Sequence, residues 1–370
     1  MSDLPANPGS LKPASVQLPV SWYLDQQIFA REKQLLFDAG ANYAGHELMV
    51  PNRGDWQSLA WMDHARALVN SGTGIELLSN VCRHRQAIML EGRGNSEAIV
   101  CPLHRWTYDL KGELLGAPRF PESPCVKLAS TPLTNWNGLL FRGPRDPHAD
   151  LAMLGTHEDW RFDGYVFDSM RIEHYPINWK TFIEVYLEVY HVDFFHPGLG
   201  NFTDCDNFRL DRGDEYSVQI APARGGLAKA GTPVYRKWHE ACLRYLDGAQ
   251  PKHGALWLTY FPGLMLEWYP NVLVVSHLIP RGPQLTTNVV EFYYPEEIVL
   301  FEREFVQAQQ AAYAETALED AEICTRMDRG RKALWEQGLD DAGPYQSPME
   351  DALVHFHEWL RARLGEDASR

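Results

Sequence analysis

The chain has 370 residues, of which 45% are hydrophobic and 22% are charged, a composition typical of globular proteins with a sizeable core. Its 34 basic and 49 acidic residues give a net charge of −15, and an acidic surface repels phosphate groups, which argues against nucleic acid and anionic membranes as partners. No apolar stretch approaches the length of a membrane-spanning helix, and the N-terminal residues lack the basic and apolar regions of a secretory leader. We therefore expect a cytoplasmic protein that does not associate with membranes.

The N-terminal region, residues 1–38, is expected to form an extended arm followed by a short helix. Residues 1–20 contain four prolines and show little periodicity. Between Asp25 and Phe37, apolar residues are interspersed with charged ones, as in an amphipathic helix. We expect this region to pack on the larger of two domains.

Residues 39–148 are expected to form a small all-β domain. Short runs of β-type residues alternate there with Gly, Asn and Pro, which is typical of strands separated by turns. A domain boundary is expected within residues 143–148, where few contacts need to cross. The predicted strands are Tyr43–Val50, Arg66–Val69, Ile75–Val81, Ala98–Val100 and Gly138–Phe141.

Two Cys/His pairs in this domain, Cys82-Arg-His84 and Cys101-Pro-Leu-His104, provide four potential metal ligands on two loops. Two thiolates and two imidazoles can hold a structural zinc ion. They can equally hold a Rieske-type 2Fe–2S cluster, with both cysteines on one iron and both histidines on the other. The presence of one Cys and one His in each loop favours the cluster, because zinc fingers usually group ligands of the same type.

The residues around these pairs resemble a known family. Residues 80–85 read NVCRHR and residues 101–112 read CPLHRWTYDLKG, and both closely resemble the Rieske domain of ring-hydroxylating and related Rieske non-haem iron oxygenases. The resemblance covers nearly the whole chain and implies that the two Cys/His pairs hold a 2Fe–2S cluster. At Arg105 the family most often has Gly, so this chain places a cation beside a cluster ligand.

Residues 149–370 are expected to form a larger catalytic domain with both helices and strands. The expected fold class is therefore α+β: a small all-β Rieske domain, then a domain with an antiparallel sheet flanked by helices in a helix-grip-like arrangement. The terminal helix carries apolar residues on one face, namely Leu353, Phe356, Trp359, Leu360 and Leu364. The predicted elements are a helix over residues 177–195, three or four antiparallel strands over 255–294, a long helix from Pro295 to about Arg329, and the terminal helix from Met349 to about Leu364.

A second group of candidate metal ligands lies at the end of the first of these helices, where His191 and His196 follow Glu188. Two neutral imidazoles with one carboxylate form a facial triad that suits Fe(II) and leaves positions open for dioxygen. The histidines are five residues apart and cannot share one face of a regular helix, so we expect the helix to distort or stop between them. An isolated pair of this kind is otherwise typical of surface or core positions.

The segment from Asn178 to Pro197 resembles the iron-binding helix of the same family in the order and spacing of its residues. The resemblance implies that His191 and His196 are iron ligands. It also gives Glu188 the position of the acidic residue that links a Rieske histidine of one subunit to an iron-ligand histidine of the next.

The third iron ligand must come from elsewhere in the chain. The segment from Glu319 to Gly330 resembles the C-terminal ligand helix of the family, which implies that Asp320 is the metal carboxylate. Glu319 is the alternative if the register differs by one residue. A charge-rich helix of this kind is otherwise typical of a solvated surface.

The resemblance implies a terminal oxygenase component that uses O2 to hydroxylate, or oxidatively demethylate or cleave, a small organic substrate. It implies one Rieske 2Fe–2S cluster and one mononuclear Fe(II) per chain, and a head-to-tail ring that is usually a homotrimer. The sequence has no dinucleotide-binding fingerprint, so we expect NAD(P)H to act only through a separate flavin or iron–sulfur reductase or a ferredoxin. A Rieske electron carrier without oxygenase activity and a zinc-stabilised binding module are the alternatives outside this class.

The substrate is not assigned by the sequence. The length of the chain and Glu188 look more like the choline-, betaine- and carnitine-type monooxygenases than the longer aromatic-ring cis-dihydroxylating dioxygenase alpha subunits, which remain the alternative. An aromatic pocket suits an arene and, by cation–π attraction, a quaternary ammonium group. We expect at least half of the aromatic candidates for its wall to pack the sheet against the long helix instead. These candidates are Phe182, Tyr186, Phe202, Phe208, Trp257, Tyr260, Tyr269 and Tyr293.

Overall fold

The computed structural model describes residues 16–365, which divide into two compact units. Of the described residues, 16–40, 150–160 and 168–365 form the larger unit, and 41–149 and 161–167 form the smaller one. Most of the arm predicted over residues 1–20 lies outside the described residues.

The smaller unit is built from eleven short strands in three antiparallel sheets. The strand predicted over Tyr43–Val50 ends at His46, because the His46 side chain accepts a hydrogen bond from the backbone N–H of Leu48 and a 3-10 turn follows. The strands are β1 Asn42–His46, β2 Asp55–Ser58, β3 Arg66–Asn70, β4 Ile75–Ser79, β5 Arg93–Asn95, β6 Ile99–Val100, β7 Thr107–Tyr108, β8 Leu114–Gly116, β9 Ser130–Thr131, β10 Thr134–Trp136 and β11 Leu139–Arg142. The sheet orders are β5-β2-β3-β4-β9, β1-β11-β10 and β6-β7-β8.

The larger unit has a seven-stranded sheet with the order β12-β18-β17-β16-β15-β14-β13, in which β13 to β18 pair antiparallel. These strands are β12 Tyr165–Tyr175, β13 Arg209–Arg212, β14 Tyr216–Ala221, β15 Ala255–Tyr260, β16 Leu264–Tyr269, β17 Val272–Gly282 and β18 Leu285–Pro295. The α-helices of the described residues are α1 Ser21–Leu24, α2 Gln26–Glu32, α3 Pro147–Asp150, α4 Trp179–Leu187, α5 Val192–Phe195, α6 Leu199–Phe202, α7 Pro233–Tyr245, α8 Glu296–Phe301, α9 Arg303–Glu336 and α10 Asp351–Leu364, and a π-helical turn spans Lys33–Asp38.

One face of this sheet packs against α7 and α9. Side chains alternate between the two faces of a strand, so Trp257 on β15, Glu267 on β16 and Phe292 on β18 point to the same side. The Phe292 ring contacts that of Tyr313 on α9 edge-on, with centroids 5.2 Å apart. The space that remains between this face and the helices is where the candidate site lies.

The helix predicted over residues 177–195 is shorter than expected. It ends at Leu187, Glu188 is extended with φ −108° and ψ 136°, and one helical turn resumes at Val192. The Glu188 carboxylate accepts a hydrogen bond from the backbone N–H of His191 at 3.0 Å, which replaces a bond that a continuous helix would make. The helix therefore stops before both histidines and not between them.

The other predicted helices are present with different limits. The one predicted from Pro295 is α8 and α9, which are separated at Glu302, and α9 runs seven residues beyond Arg329 to Glu336. The apolar face predicted for α10 is confirmed, since all five of its residues are buried. Helix α7 and the strands β12 to β14 were not predicted from the sequence. Thr232-Pro233 is nevertheless a recognisable helix start, because the Thr232 side chain accepts a hydrogen bond from the Tyr235 N–H and Pro233 is the first helical residue.

A buried ion pair ties the N-terminal helices to α4. The Lys180 ammonium lies 2.5 Å from a Glu32 carboxylate oxygen, and neither side chain is exposed by more than 1%. The other Glu32 oxygen accepts a hydrogen bond from Trp179 Nε1 at 2.8 Å. Burial lowers the pKa of Lys180 overall, and the charge and hydrogen bond of Glu32 oppose this effect.

Replacing Lys180 by Met is expected to lower the free energy of unfolding by about 3–5 kcal/mol, because Glu32 is left buried without its cation. The double change Lys180→Met and Glu32→Gln is expected to recover most of this loss, since Gln still accepts from Trp179. The midpoint of urea unfolding, followed by tryptophan fluorescence, measures both. An equal loss in the single and double variants would assign the effect to packing.

Candidate metal centres and substrate cavity

The two Cys/His loops of the smaller unit have the same backbone conformation. In each, the cysteine N–H donates to the carbonyl five residues further on, and the cysteine carbonyl accepts from the N–H four residues further on, at 2.8–3.1 Å. The fourth residue after the cysteine is left-handed in both loops, with φ 57° at Gln86 and 61° at Arg105. A left-handed residue is easiest for glycine, which gives a conformational reason for glycine at the Arg105 position.

These loops bring the four predicted cluster ligands to one place in the smaller unit. Cys82 and Cys101 are buried in the same hydrophobic cluster, and neither is in a disulfide. The rings of His84 and His104 are adjacent, with centroids 4.7 Å apart, and Trp106 stacks on His84 at 4.9 Å. The two thiols therefore lie in one cluster, and the two imidazoles lie against each other.

One atom of this group lacks the partner that buried polar atoms normally have. His84 Nδ1 is buried and makes no hydrogen bond with any described residue. The Tyr108 hydroxyl lies 3.5 Å from Cys82 Sγ and accepts from the backbone N–H of Arg83, so it is placed to donate to a thiolate. Both features fit a metal cluster held by thiolates and imidazoles, with Tyr108 as an outer hydrogen-bond donor.

The second group of predicted ligands converges in the larger unit. His191 Nε2 and His196 Nε2 lie 3.0 Å apart, and Asp320 Oδ1 lies 2.9 Å from the second nitrogen and 3.6 Å from the first. Two unprotonated nitrogens cannot approach so closely without a shared proton or a cation between them. The three atoms form a donor set of two imidazoles and one carboxylate, which suits Fe(II).

The outer nitrogens of both imidazoles face glutamates. His191 Nδ1 lies 2.5 Å from Glu188 Oε1, although not at a hydrogen-bond angle, and His196 Nδ1 lies 2.6 Å from Glu319 Oε2. Asp320 and Glu319 therefore contact opposite nitrogens of His196: Asp320 is inside the donor set and Glu319 is behind it. Carboxylates behind metal-binding imidazoles fix the orientation of the ring.

The negative charge of these carboxylates favours positive charge on the imidazoles or between them. Burial lowers the pKa of His191, but its contacts with Asp320 and Glu188 outweigh burial and raise the pKa to about 10. Burial raises the pKa of Asp320, and its contacts with the two imidazoles lower it overall. Protons on the imidazoles and a bound metal ion balance the charge of the same carboxylates. Because the two compete for this site, metal binding is expected to release protons.

Glu184, which lies between the predicted ligands and the start of α4, does not face this site. It forms an ion pair with Arg331 at 2.6 Å and hydrogen bonds with His357 Nε2 at 3.0 Å and with the Tyr23 hydroxyl. Burial raises its pKa, but Arg331 and the other donors lower it to about 2. Glu184 therefore holds α4, α9 and α10 together.

A cavity adjoins His191, His196 and Asp320. Four of the eight aromatic candidates line it, namely Phe182, Tyr186, Trp257 and Tyr269, and Phe202, Phe208, Tyr260 and Tyr293 do not. The sequence analysis did not predict three further aromatic lining residues, Tyr235 and Trp238 from α7 and Tyr313 from α9, nor the acidic Glu267 from β16.

Glu267 is the lining residue whose presence is least expected. Its side chain is 6% exposed, it accepts a hydrogen bond from the Tyr269 hydroxyl at 2.7 Å, and burial raises its pKa to about 7. The sequence signal is its position as the one charged residue of β16, which reads LMLEWY. A carboxylate in the middle of a buried strand is costly unless it has a function or a partner.

Comparison with known proteins assigns both units. Residues 151–366 match the ring hydroxylating alpha subunit (catalytic domain) model, and residues 42–132 match the Rieske [2Fe-2S] domain. The chain therefore belongs to the Rieske oxygenase family as an alpha subunit, and it is an enzyme. The Rieske match also decides between zinc and an iron–sulfur cluster. Members of this family carry one 2Fe–2S cluster and one mononuclear iron, and both donor sets described above fit them.

Individual proteins show which members of the family this chain is similar to. A putrescine 2-hydroxylase of Ralstonia nicotianae is 60% identical over 352 residues, which are 95% of this chain and 96% of that protein. A chloroplastic choline monooxygenase of Atriplex hortensis is 24% identical and covers 94% of this chain and 77% of its own. The solved structure of a quaternary ammonium Rieske monooxygenase that oxidises carnitine has a TM-score of 0.74 at 18% identity and covers 94% and 96% of the two chains, which shows the shared fold.

The prediction of a terminal oxygenase is thus confirmed. The alternative, a Rieske electron carrier without a catalytic domain, is not supported. Within residues 16–365, no helix combines the length and apolarity that crossing a bilayer requires.

Proposed function

We propose that this enzyme hydroxylates a short aliphatic diamine, with putrescine as the first candidate. The observation that carries the proposal is the 60% identity to a putrescine 2-hydroxylase, which extends over both units of the chain. The cavity supports it, because its lining contains carboxylates and many aromatic side chains but no lysine or arginine. Such a lining favours a cation over an anion.

In this proposal Cys82, His84, Cys101 and His104 hold the 2Fe–2S cluster. His191, His196 and Asp320 hold the mononuclear iron, and Glu188 and Glu319 orient the two imidazoles. When bound, the two cofactors together supply the electrons and the O2-binding site that hydroxylation needs. The chain itself positions the substrate next to the three donor atoms and excludes water with the aromatic wall of the cavity.

His104→Cys is expected to keep a 2Fe–2S centre and lower its reduction potential, because a further thiolate adds negative charge to that iron. Visible absorption and redox titration of the purified protein measure the two properties. An unchanged potential would show that His104 is not a ligand.

The proposal includes an assembly and an electron source. NAD(P)H is expected to supply electrons through a flavin or iron–sulfur reductase or a ferredoxin, and three chains are expected to form a head-to-tail homotrimer. Two features support such an assembly: His104 is exposed, and Tyr190 and Phe194 beside the iron site are 45% and 83% exposed. The NAD(P)H-linked electron source and six free cysteines suit the cytoplasm.

The test is an amine screen with the purified holoenzyme, a surrogate reductase, NADH and 18O2. Hydroxylation follows the balance R–H + O2 + 2 electrons + 2 protons → R–OH + H2O, so the product should contain one labelled oxygen per molecule. We expect a singly hydroxylated 1,4-diaminobutane whose formation matches oxygen uptake. Turnover of choline or carnitine but not of diamines would contradict the proposal, and so would a dihydrodiol formed from an arene.

A further inference from the structure

We infer that Glu267 binds an ammonium group of the substrate in this cavity; the inference rests on the proposed function and names the residue that recognises the amine. Glu267 lies on the same face of β16 as Met265 and Tyr269, and all three line the cavity. The iron-site residues line the same cavity, so one ligand can reach both.

The carboxylate is fixed in place by a short chain of hydrogen bonds. Trp257 Nε1 donates to the Tyr269 hydroxyl at 3.0 Å, and that hydroxyl donates to Glu267 Oε2 at 2.7 Å. Trp257 lies directly across from Glu267 in the register of β15 and β16. Only Oε2 receives a hydrogen bond from the described residues, so Oε1 is available to a ligand in the cavity.

Glu267 forms no ion pair with a lysine, arginine or histidine among the described residues. Tyr269 donates a hydrogen bond to it, and Asp320 repels it. Two other buried carboxylates of the larger unit have a cation partner: Glu32 is paired with Lys180, and Glu184 with Arg331. A buried carboxylate beside an open cavity, without a protein cation, is complementary to a cationic ligand.

The aromatic walls complete a site for an alkylammonium group. Tyr186, Trp238, Trp257 and Tyr313 line the cavity with Glu267, and aromatic faces attract cations and accommodate methylene groups. A molecule with one ammonium on Glu267 and a short chain towards His191, His196 and Asp320 presents a carbon atom to the iron site.

The test uses Glu267→Gln, which keeps the size of the side chain and its bond to Tyr269 but removes the charge. The matched control is Glu291→Gln on β18. Glu291 is also fully buried and also accepts from a tyrosine two residues on, Tyr293, at 2.8 Å, but it does not line the cavity. Calorimetric titration of the holoenzymes with 1,4-diaminobutane and with butylamine gives dissociation constants without requiring turnover.

We expect Glu267→Gln to weaken the binding of both 1,4-diaminobutane and butylamine by about 100-fold or more, because each places an ammonium group on the carboxylate. Glu291→Gln should change neither constant. Removing an unpaired buried charge should not unfold the protein. Glu267→Asp provides a second test: it keeps the charge and should restore most of the amine binding that Glu267→Gln loses, which a merely structural role of Glu267 would not predict.

The outcomes separate this inference from the proposed function. Hydroxylation of 1,4-diaminobutane by the wild type, with an unchanged dissociation constant in Glu267→Gln, would overturn the role of Glu267 and leave the function intact. Binding of an amine that depends on Glu267, without diamine hydroxylation, would support the role and overturn the function. A wild-type enzyme that binds no amine would overturn both.

Discussion

Replacing Asp320 by Asn is expected to remove the mononuclear iron and abolish hydroxylation, whereas Glu319→Gln is expected to leave iron bound. Asp320 Oδ1 faces the Nε2 atoms of His191 and His196, so the change removes the one anionic donor of the set. Glu319 contacts His196 Nδ1 on the other side of the ring. Loss of such an outer carboxylate typically costs about 10–100-fold in metal affinity or activity.

Iron analysis at graded Fe(II) concentrations measures the difference. Asp320→Asn should retain only the two irons of the cluster even at excess Fe(II), and Glu319→Gln should regain the third at higher concentration. His191→Ala and His196→Ala should behave like Asp320→Asn, and all should keep the visible spectrum of the Rieske cluster. Loss of the third iron from Glu319→Gln but not from Asp320→Asn would exchange the two assignments.

Glu188→Gln is expected to slow hydroxylation by about 1,000-fold or more with both metals still bound, because the amide keeps the size of the side chain and removes the charge behind His191. Stopped-flow reoxidation of the reduced cluster, in the presence of substrate and O2, measures electron transfer directly. A surface acid without this role would change stability by less than about 0.5 kcal/mol and leave the rate unaltered.

Mixed oligomers test whether the electron crosses between chains. Glu188→Gln chains lack the link at the iron, and His104→Ala chains lack the cluster, so each homo-oligomer should be inactive. In a mixed ring, some interfaces pair an intact cluster of one chain with an intact Glu188 of the next, and activity should reappear. Reassembled mixed rings without activity would exclude the route between subunits.

The parts of the site that the sequence predicts are those in which the ligands are close together in the chain. Cys82 and His84 lie in one tight loop, and His191 and His196 lie on either side of one helical turn, so their types and spacing mark them as candidate ligands. The assignment of His191 and His196 to iron also needed the family resemblance. Asp320 required the family resemblance, because nothing local distinguishes it from Glu319. The structure separates these two through the different nitrogens of His196 that they contact.

Glu267 could not be predicted in this way. Its role depends on which face of β16 it occupies, and β16 is apolar on both faces, so alternation gives no signal. The role of Glu267 also depends on Trp238, which lies on α7, a helix that was not predicted from the sequence. The cavity is defined only by the register of three neighbouring strands, β15 to β17, together with the helices that cover them.

The limits of α4 show a different difficulty. Residues 177–195 contain no Pro or Gly, and local composition therefore favours one continuous helix. The Glu188 side chain overrides that preference by accepting from the N–H of His191. A side chain that competes for a backbone donor is a property of the folded geometry and not of helix propensity.

The discontinuous larger unit has a consequence for synthesis on the ribosome. Its first described segment, residues 16–40, packs against helices at the other end of the chain; for example, Arg31 donates to the carbonyl of Leu364, 333 residues away. The smaller unit is complete once residue 167 has been made. At usual rates of translation, α10 is completed roughly 10–40 s later. Until then, the apolar side chains of Trp22 and Ile28 lack their packing partners on this helix. The cluster-binding unit is therefore synthesised completely first. During this interval the N-terminal helices of the iron-binding unit are the part of the nascent chain most exposed to chaperones and to aggregation.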